Sequence, residues 1–305
     1  YLFHNNNCYV ILMISKLKKL KKIKSVLLFI VIFLLGYQAH KAEIFPLNEF
    51  YSKHTKKKLQ KIDTWQYKGS PRAALDNNYT FNKTKVACPS AEESIVIVAF
   101  GQSNSSNNAS QKFMSNSDNI LNFYRGSCYI AEDPLLGASG KMGNIWIPTG
   151  LKINKGQKKL ILITFGIGGT SIENWLTDLK YFYLTNLNSL KLFYPKPDFV
   201  IWFQGESDIK TNPDKFKKNL KTWIKILMKD FSKARLIITG TTYCNGVYSA
   251  KIKDIQLSLS KKYNVNFFDT DQFNHFTDRY DDCHFSYFGI EKLSTGFAKI
   301  INSNL

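Results

Sequence analysis

The stretch Ile95-Val96-Ile97-Val98-Ala99-Phe100-Gly101-Gln102-Ser103-Asn104 joins a continuous apolar run to an abrupt polar turn. Such a run is typical of a strand that is buried on both faces of a parallel sheet. The glycine permits a sharp turn, and ligands bind at the carboxyl edge of open parallel sheets. The pattern therefore predicts a central strand followed by Ser103 as a candidate nucleophile, although a polar turn that caps the next helix explains the same residues.

Four more apolar runs of strand length follow, at residues 160–165, 199–203, 236–239 and 265–268. Helix-like stretches lie between several of them, at residues 172–190, 213–231 and 248–263. Strands that alternate with helices indicate a parallel sheet covered on both faces. We therefore predict a three-layer α/β/α fold with a central, mostly parallel, five-stranded sheet. The Gly-rich stretch 123–150 is predicted to be an irregular loop, and loops of this length are usually functional or disordered.

Length and composition are those of a globular protein. The 305 residues suffice for one large domain, and a hydrophobic content of 44% excludes wholesale disorder. The formal net charge of +19 comes partly from lysine runs near residues 16–24 and 53–61. A general preference for Lys, Asn and Ile explains this charge better than a specific anionic partner, although a basic surface also favours acidic glycans. No zinc-finger spacing, aromatic RNA platform or basic heptad helix occurs, so no nucleic-acid partner is predicted.

The N-terminal region has the organisation of an export segment. We expect translation to start at Met13, with residues 1–12 upstream of the true start. A lysine cluster and the apolar run 25–36 follow, as in secretory signals, and the run is shorter than the roughly 20 residues of a spanning helix. Residues 13–42 are predicted to be a signal peptide or, because the cleavage site is poor, an uncleaved membrane anchor. The protein is then exported, and a Lys-rich linker at 43–92 precedes the domain at 93–305.

Cysteine usage fits export. Four cysteines follow Met13, namely Cys88, Cys128, Cys244 and Cys283, and an even number permits two disulfides outside the reducing cytosol. We expect the pairs Cys88–Cys128 and Cys244–Cys283, because the latter two should both lie on loops at the carboxyl edge of the sheet. Four buried free thiols are the alternative.

Groups suited to catalysis follow two further predicted strands. Gly168 and Gly169 open a helix after the second strand, where exposed backbone N–H groups suit a developing oxyanion. The third strand ends in Gln204-Gly205-Glu206-Ser207-Asp208, which brings an amide and two carboxylates to the same edge. These residue types are hard to explain by packing alone, although Asp208 also suits a helix cap.

A candidate base lies near the C-terminus, in Asp281-Asp282-Cys283-His284. Asp281 precedes His284 by three residues, a spacing at which a tight turn lets the carboxylate hold the imidazole. His275 is the other histidine after residue 60, and it has Gln272 at that spacing. His284 is therefore the stronger candidate.

These four blocks, in this order, resemble the SGNH hydrolase superfamily and, within it, the sialate O-acetylesterase-like branch of carbohydrate esterases. The resemblance covers residues 94 to about 300 and implies the three-layer SGNH/flavodoxin-like fold. It implies that Ser103 is the nucleophile, with Asp281 as the orienting carboxylate and His284 as the base. It also implies oxyanion donors at the N–H groups of Ser103 and Gly169. The Asn of the third block is absent, so the resemblance gives its role to Gln204, with Ser207 as the rival. We expect Asn104 to tie the nucleophile loop to its neighbours.

The resemblance implies a serine esterase that removes acetyl groups from O-acetylated carbohydrate through an acyl-enzyme, without a metal or other cofactor. A glycan O-acetyltransferase with the same triad is the main alternative. A glycosidase that uses Glu206 with Asp208 or Glu173 needs carboxylates about 5–10 Å apart, and it leaves the serine and histidine blocks without a role. A non-catalytic glycan-binding protein is a further alternative.

Overall fold

The computed structural model describes residues 80–305, and the structural statements below concern that part of the chain. The predicted export segment 13–42 and residues 43–79 of the predicted linker lie outside the described residues. Within residues 80–305, no helix is long and apolar enough to cross a membrane.

An eight-stranded sheet forms the centre of the domain. Its strands are β1 Lys85–Val86, β2 Ser94–Gly101, β3 Ile120–Tyr124, β4 Ser127–Ile130, β5 Lys159–Gly166, β6 Phe199–Phe203, β7 Arg235–Thr239 and β8 Asn266–Phe268. Their spatial order is β1-β4-β3-β5-β2-β6-β7-β8. Pairing is parallel from β3 through β8 in this order, and β4 and β1 are added by antiparallel pairing. The predicted α/β fold with a mostly parallel sheet is confirmed.

The prediction of five strands was incomplete, because β1, β3 and β4 extend the sheet at one edge. A hairpin turn at Arg125-Gly126, with φ angles of 49° and 79°, joins β3 to β4. Two-residue hairpin turns need positive φ and usually carry Asn-Gly or Asp-Gly, so Arg-Gly is a weak signal. The stretch 123–150 is thus only partly irregular, since it holds β4 and the start of a helix. The end of the predicted linker 43–92 supplies β1.

Helices cover both faces of the sheet. They are α1 Trp146–Lys152, α2 Ile172–Leu176, α3 Lys180–Phe193, α4 Pro213–Asp230, α5 Ala250–Tyr263 and α6 Tyr287–Asn302. Buried residues of α2 to α5 pack on one face, and those of α1 and α6 pack on the other. The predicted helices 213–231 and 248–263 correspond to α4 and α5. The predicted helix 172–190 is two helices, because Thr177 leaves the helical conformation after α2.

The structure of β2 explains its uninterrupted apolar sequence. Its even-numbered residues from Val96 to Phe100 point into the core on one face, and its odd-numbered residues from Ile95 to Ala99 point into the core on the other. Fully burying an aliphatic or aromatic side chain contributes about 1.5–3 kcal/mol. The strand is therefore firmly anchored, and it ends at the carboxyl edge immediately before Ser103.

Both expected disulfides, Cys88–Cys128 and Cys244–Cys283, are present. The first links the segment after β1 to β4. The second links the loop after β7 to the turn that carries His284. The predicted pairing is thus confirmed, and the free-thiol alternative is wrong.

Candidate active site

The turns after β2, β5 and β6 meet the segment after β8 at a cavity of about 830 Å³. The four motif blocks all contribute to its wall, through Gln102, Ser103, Gly168, Gly169, Glu206, Ser207, Asp281, Cys283 and His284. Parallel strands bring their carboxyl ends to one edge, and an open α/β sheet binds ligands there. Residues far apart in the sequence therefore form one site.

Ser103 begins a short 3-10 turn, Ser103–Ser105, directly after β2. Gly101 makes the turn possible: its φ is +143°, and a Cβ at this position would lie 1.9 Å from the Phe203 carbonyl oxygen on β6. Ser103 is 8% exposed and lines the cavity. Within residues 80–305, neither its hydroxyl nor its backbone N–H takes part in a hydrogen bond. Both groups are free to contact a ligand in the cavity.

Asp281 holds His284 through both of its carboxylate oxygens. Oδ1 accepts the backbone N–H of His284 at 2.7 Å, and Oδ2 lies 2.7 Å from the ring Nδ1. When Nδ1–H donates to the carboxylate, Nε2 is the basic ring nitrogen. No hydrogen bond joins the Ser103 and His284 side chains in the described structure, and such catalytic contacts commonly tighten only with substrate.

The turn that carries His284 contains an ionised carboxylate and is held by a hydrogen bond and a disulfide. Burial raises the pKa of the Asp281 carboxyl, but hydrogen bonds from the His284 side chain and backbone outweigh this and hold the pKa below its usual value. The carboxylate is therefore ionised at neutral pH and can stabilise an imidazolium. Arg279 Nη1 donates to the Cys283 carbonyl at 2.9 Å, and Cys283 is covalently joined to Cys244. These contacts fix the position of the imidazole.

The turn after β5 supplies a backbone N–H near the nucleophile. The Ser139 hydroxyl accepts the Gly168 N–H at 2.7 Å, and a Cβ on Gly168 would lie 3.7 Å from the Cβ of Ser103. Gly169 has a φ of +72°, with no atom within 4 Å of its Cβ position. Its N–H makes no hydrogen bond to the described part of the chain. The predicted donor Gly169 therefore lies on the cavity wall with its N–H unused.

Gln204 does not line the cavity. Its side chain is fully buried. The amide Nε2 donates to Asp208 Oδ2 at 2.6 Å and lies 3.2 Å from both Gln102 Oε1 and the Thr170 carbonyl. Protein acceptors thus surround the amide of the expected Gln204 donor in this structure. Ser207, the rival, is exposed on the cavity wall, and its hydroxyl has no partner within residues 80–305.

A buried hydrogen-bond network connects the nucleophile turn to the histidine turn. Asn104 Nδ2 lies 3.3 Å from Glu206 Oε1, 3.4 Å from Thr242 Oγ1 and 3.5 Å from the Cys283 carbonyl. Glu206 Oε1 also accepts the backbone N–H and the hydroxyl of Thr242. Asn104 thus ties the nucleophile loop to its neighbours, as predicted.

The residues of the glycosidase alternative are not gathered around the cavity. Glu206 lines it, but Asp208 and Glu173 do not. Burial raises the pKa of Asp208, and Glu173 forms an ion pair with Lys215 at 2.8 Å. His275 is exposed and does not line the cavity either. Among the residues that the structure describes, no group of three or more His, Cys, Asp or Glu side chains is placed to hold a metal ion.

Two residues shape the site in ways that the sequence pattern did not reveal. Gln102 Oε1 accepts the N–H groups of Gly205 at 3.3 Å and Ser207 at 3.0 Å, so it sets the conformation of the turn after β6. Ser139, from the stretch expected to be irregular, orients Gly168. Both act through contacts between distant segments, and only the place of Gln102 inside the first block hinted at a role.

Comparisons with known proteins add to this geometry. Residues 93–303 match the model of a family described as carbohydrate esterase, sialic acid-specific acetylesterase. No curated protein matches the sequence. A solved structure of an Arabidopsis thaliana protein is similar, with a TM-score of 0.56, 20% identity, and coverage of 69% of this chain and 98% of that chain. A lipase/acylhydrolase from Enterococcus faecalis has a TM-score of 0.47, 18% identity, and coverage of 68% and 95%. An acetyl xylan esterase has a TM-score of 0.45, 16% identity, and coverage of 68% and 100%.

The matched residues run from β2 to the end of α6 and contain all four motif blocks. The Arabidopsis structure supports the same fold. The chain therefore belongs to the sialic acid-specific acetylesterase family of carbohydrate esterases and is a carboxylic ester hydrolase.

Proposed function

We propose that this protein is a serine esterase that removes acetyl, or another short acyl group, from O-acetylated carbohydrate. One observation carries the proposal: Ser103 and the Asp281-held His284 lie on the wall of one cavity. Membership of a carbohydrate esterase family supports a sugar ester as the substrate.

In the first step, His284 Nε2 takes the proton of the Ser103 hydroxyl while Oγ attacks the acetyl carbon. A serine hydroxyl is a weak nucleophile without an adjacent base. Asp281 holds Nδ1–H, which fixes the tautomer and stabilises the imidazolium. The tetrahedral intermediate then collapses, the bond between the acetyl carbon and the sugar oxygen breaks, and the sugar oxygen receives the proton from His284.

The negative charge on the tetrahedral oxygen needs preorganised donors. The N–H groups of Ser103 and Gly169 are unused within residues 80–305 and belong to adjacent turns. We assign the third donor to the Ser207 hydroxyl, because Gln204 is engaged below the cavity floor. Losing one such donor typically costs about 10²–10³ in rate.

In the second step, His284 takes a proton from a water molecule, which attacks the acetyl group on Ser103. Collapse of the second intermediate releases acetate and returns the proton to Ser103. Every group in this cycle belongs to the chain, the substrate or water, so the proposal includes no cofactor.

The Ser103→Ala variant tests the proposal with 4-nitrophenyl acetate and an acetylated oligosaccharide as substrates. We expect kcat to fall by at least about 10⁴-fold, since removing the nucleophile of a Ser-His-Asp enzyme has effects of this order or larger. A fluorophosphonate should label the wild-type protein at Ser103 and leave the variant unlabelled. Unchanged hydrolysis in the variant, or a label on another residue, would contradict the mechanism. Acetyl recovered on an added glycan, in place of free acetate, would instead identify an O-acetyltransferase.

We also propose that the protein works outside the cytoplasm, in the periplasm, at the cell surface or in the medium. The two disulfides support this, because such bonds persist in oxidising compartments. The lysine cluster followed by the apolar run 25–36 supports export or tethering to a membrane. Cell fractionation with thiol labelling tests the proposal. Recovery in the cytosol with four free thiols would refute it.

A further inference from the structure

The described cavity wall offers hydrogen-bonding groups but no ring of Phe, Tyr or Trp. Asn108, Ser139, Lys141 and Asn245 extend the polar lining beyond the motif blocks, and no Phe, Tyr or Trp is among the described residues that line the cavity. A sugar ring has polar edges, which such groups can bind, and apolar C–H faces. Small-molecule sites usually cover such faces with aromatic or aliphatic side chains. The site is therefore incomplete for a sugar unless a ring beside the cavity contributes.

Tyr280 places an aromatic ring next to the catalytic histidine. The centroids of the Tyr280 and His284 rings lie 6.2 Å apart, with 32° between the ring planes. Tyr280 is 46% exposed, so ring surface is open to solvent. A tyrosine ring of this kind provides a rigid apolar surface with a polar end.

The hydroxyl and the backbone of Tyr280 are both held by hydrogen bonds. The Tyr280 hydroxyl donates to the Asn108 carbonyl at 3.1 Å, and Asn108 itself lines the cavity. The Tyr280 backbone N–H donates to the His284 carbonyl at 3.0 Å. Because both anchors belong to the cavity wall, the ring keeps a fixed position relative to the site.

The proposed chemistry puts a sugar close to this ring. His284 must protonate the leaving sugar oxygen, which requires a hydrogen-bond distance of about 2.6–3.2 Å. The sugar ring is attached to that oxygen and therefore lies close to the imidazole, whose centroid is 6.2 Å from that of the Tyr280 ring.

We propose that Tyr280 is a specificity-determining residue, whose ring stacks on the sugar that carries the ester and so favours cyclic over open-chain acetyl esters. The proposal rests on the esterase function proposed above. Phe288 on α6 is an exposed aromatic residue without this position: it is 65% exposed, and its ring contact is with Tyr287 and not with His284. Phe288 therefore provides a matched control.

The kinetic test compares two substrates with the same ester chemistry, glucose penta-acetate and the open-chain polyol ester glycerol triacetate. Tyr280→Ala is expected to lower kcat/KM for the glucose ester about tenfold, a loss of the size that an aromatic contact supplies. The value for glycerol triacetate should change by less than about twofold. Tyr280→Phe keeps the ring and loses only the hydroxyl contact, so it should retain the ratio of the two values. Phe288→Ala should leave both values unchanged.

Two kinetic outcomes would overturn the proposal. If Tyr280→Ala lowers both values in parallel, Tyr280 only positions the histidine turn. If it changes neither, its ring does not contact the substrate.

A binding test separates failure of this proposal from failure of the esterase function. In the Ser103→Ala background, saturation-transfer NMR should show contact between protein and the ring C–H protons of glucose penta-acetate, and additional Tyr280→Ala should abolish it. Lack of hydrolysis by the wild type, with Tyr280-dependent binding retained, would refute the esterase proposal alone. Ring-proton contact that survives Tyr280→Ala would refute the stacking proposal alone.

Discussion

The Asp281→Asn substitution separates the two tasks of this carboxylate. An asparagine oxygen can still accept the backbone N–H of His284, the 2.7 Å contact that shapes the turn. The amide nitrogen that replaces Oδ2 is a donor and cannot accept Nδ1–H, which lies 2.7 Å away in the native protein. The imidazole is then driven to the tautomer that carries its proton on Nε2 and cannot accept the proton of Ser103.

The expected loss is large in catalysis and small in stability. The equivalent change in a Ser-His-Asp protease lowers kcat about 10⁴-fold, which corresponds to about 5 kcal/mol in the activation barrier. We therefore expect kcat to fall by about 10³–10⁴-fold. Because the backbone contact is retained, the free energy of unfolding should change by less than about 1 kcal/mol.

Initial rates of acid release from glycerol triacetate give kcat, and urea unfolding gives the free energy of unfolding. Asp282→Asn is the matched control. Asp282 is exposed, does not line the cavity and has a φ of +62°, which asparagine tolerates. Its kcat should stay within about twofold of the wild type. A kcat for Asp281→Asn within tenfold of the wild type would refute the assigned role, as would an equal loss in the control.

Three further substitutions have measurable outcomes. Ser207→Ala should lower kcat for glycerol triacetate by about 10²-fold with unchanged stability; an unaffected kcat would remove Ser207 from the oxyanion site. Paired serine substitutions that remove the Cys244–Cys283 disulfide should lower kcat more than those that remove Cys88–Cys128, because only the former disulfide holds the His284 turn. Equal losses of kcat would contradict this. Burial raises the pKa of Asp133 to about 8, so the folded protein binds the carboxyl proton more tightly than the unfolded chain, in which the pKa is about 4. The stability that this proton contributes is complete below about pH 4. It is lost as pH rises toward 8, by up to about 1.4 kcal/mol per pH unit. Urea unfolding should show the free energy of unfolding decreasing in this way between pH 5 and 7. The Asp133→Asn variant should be less stable at pH 5 but should lack this decrease.

The five core strands and the four blocks at their ends were predictable from local signals. In β2, for example, an unbroken apolar run can only be buried on both faces, which fixes a parallel sheet and the edge at which Ser103 lies. The edge hairpin of β3 and β4 was not predictable in the same way. Its turn, Arg125-Gly126, lacks the usual residues for positive φ, and the buried polar Asn122 interrupts the apolar pattern of β3. That hairpin is held by its neighbours: Asn122 donates to the Leu162 carbonyl on β5.

The buried position of Gln204 has a physical reason that strand alternation provides. In β6, Val200 and Trp202 point to the face covered by α2 to α5, so Gln204 continues toward the same face. β2 and β6 pair in register, with Phe100 opposite Trp202, so Gln102 and Gln204 come together beyond the strand ends, 3.2 Å apart through Oε1 and Nε2. The two amides therefore build a floor under the cavity and brace the turn after β6. In the proposed mechanism the third donor then comes from the exposed Ser207 hydroxyl, which that turn places on the cavity wall.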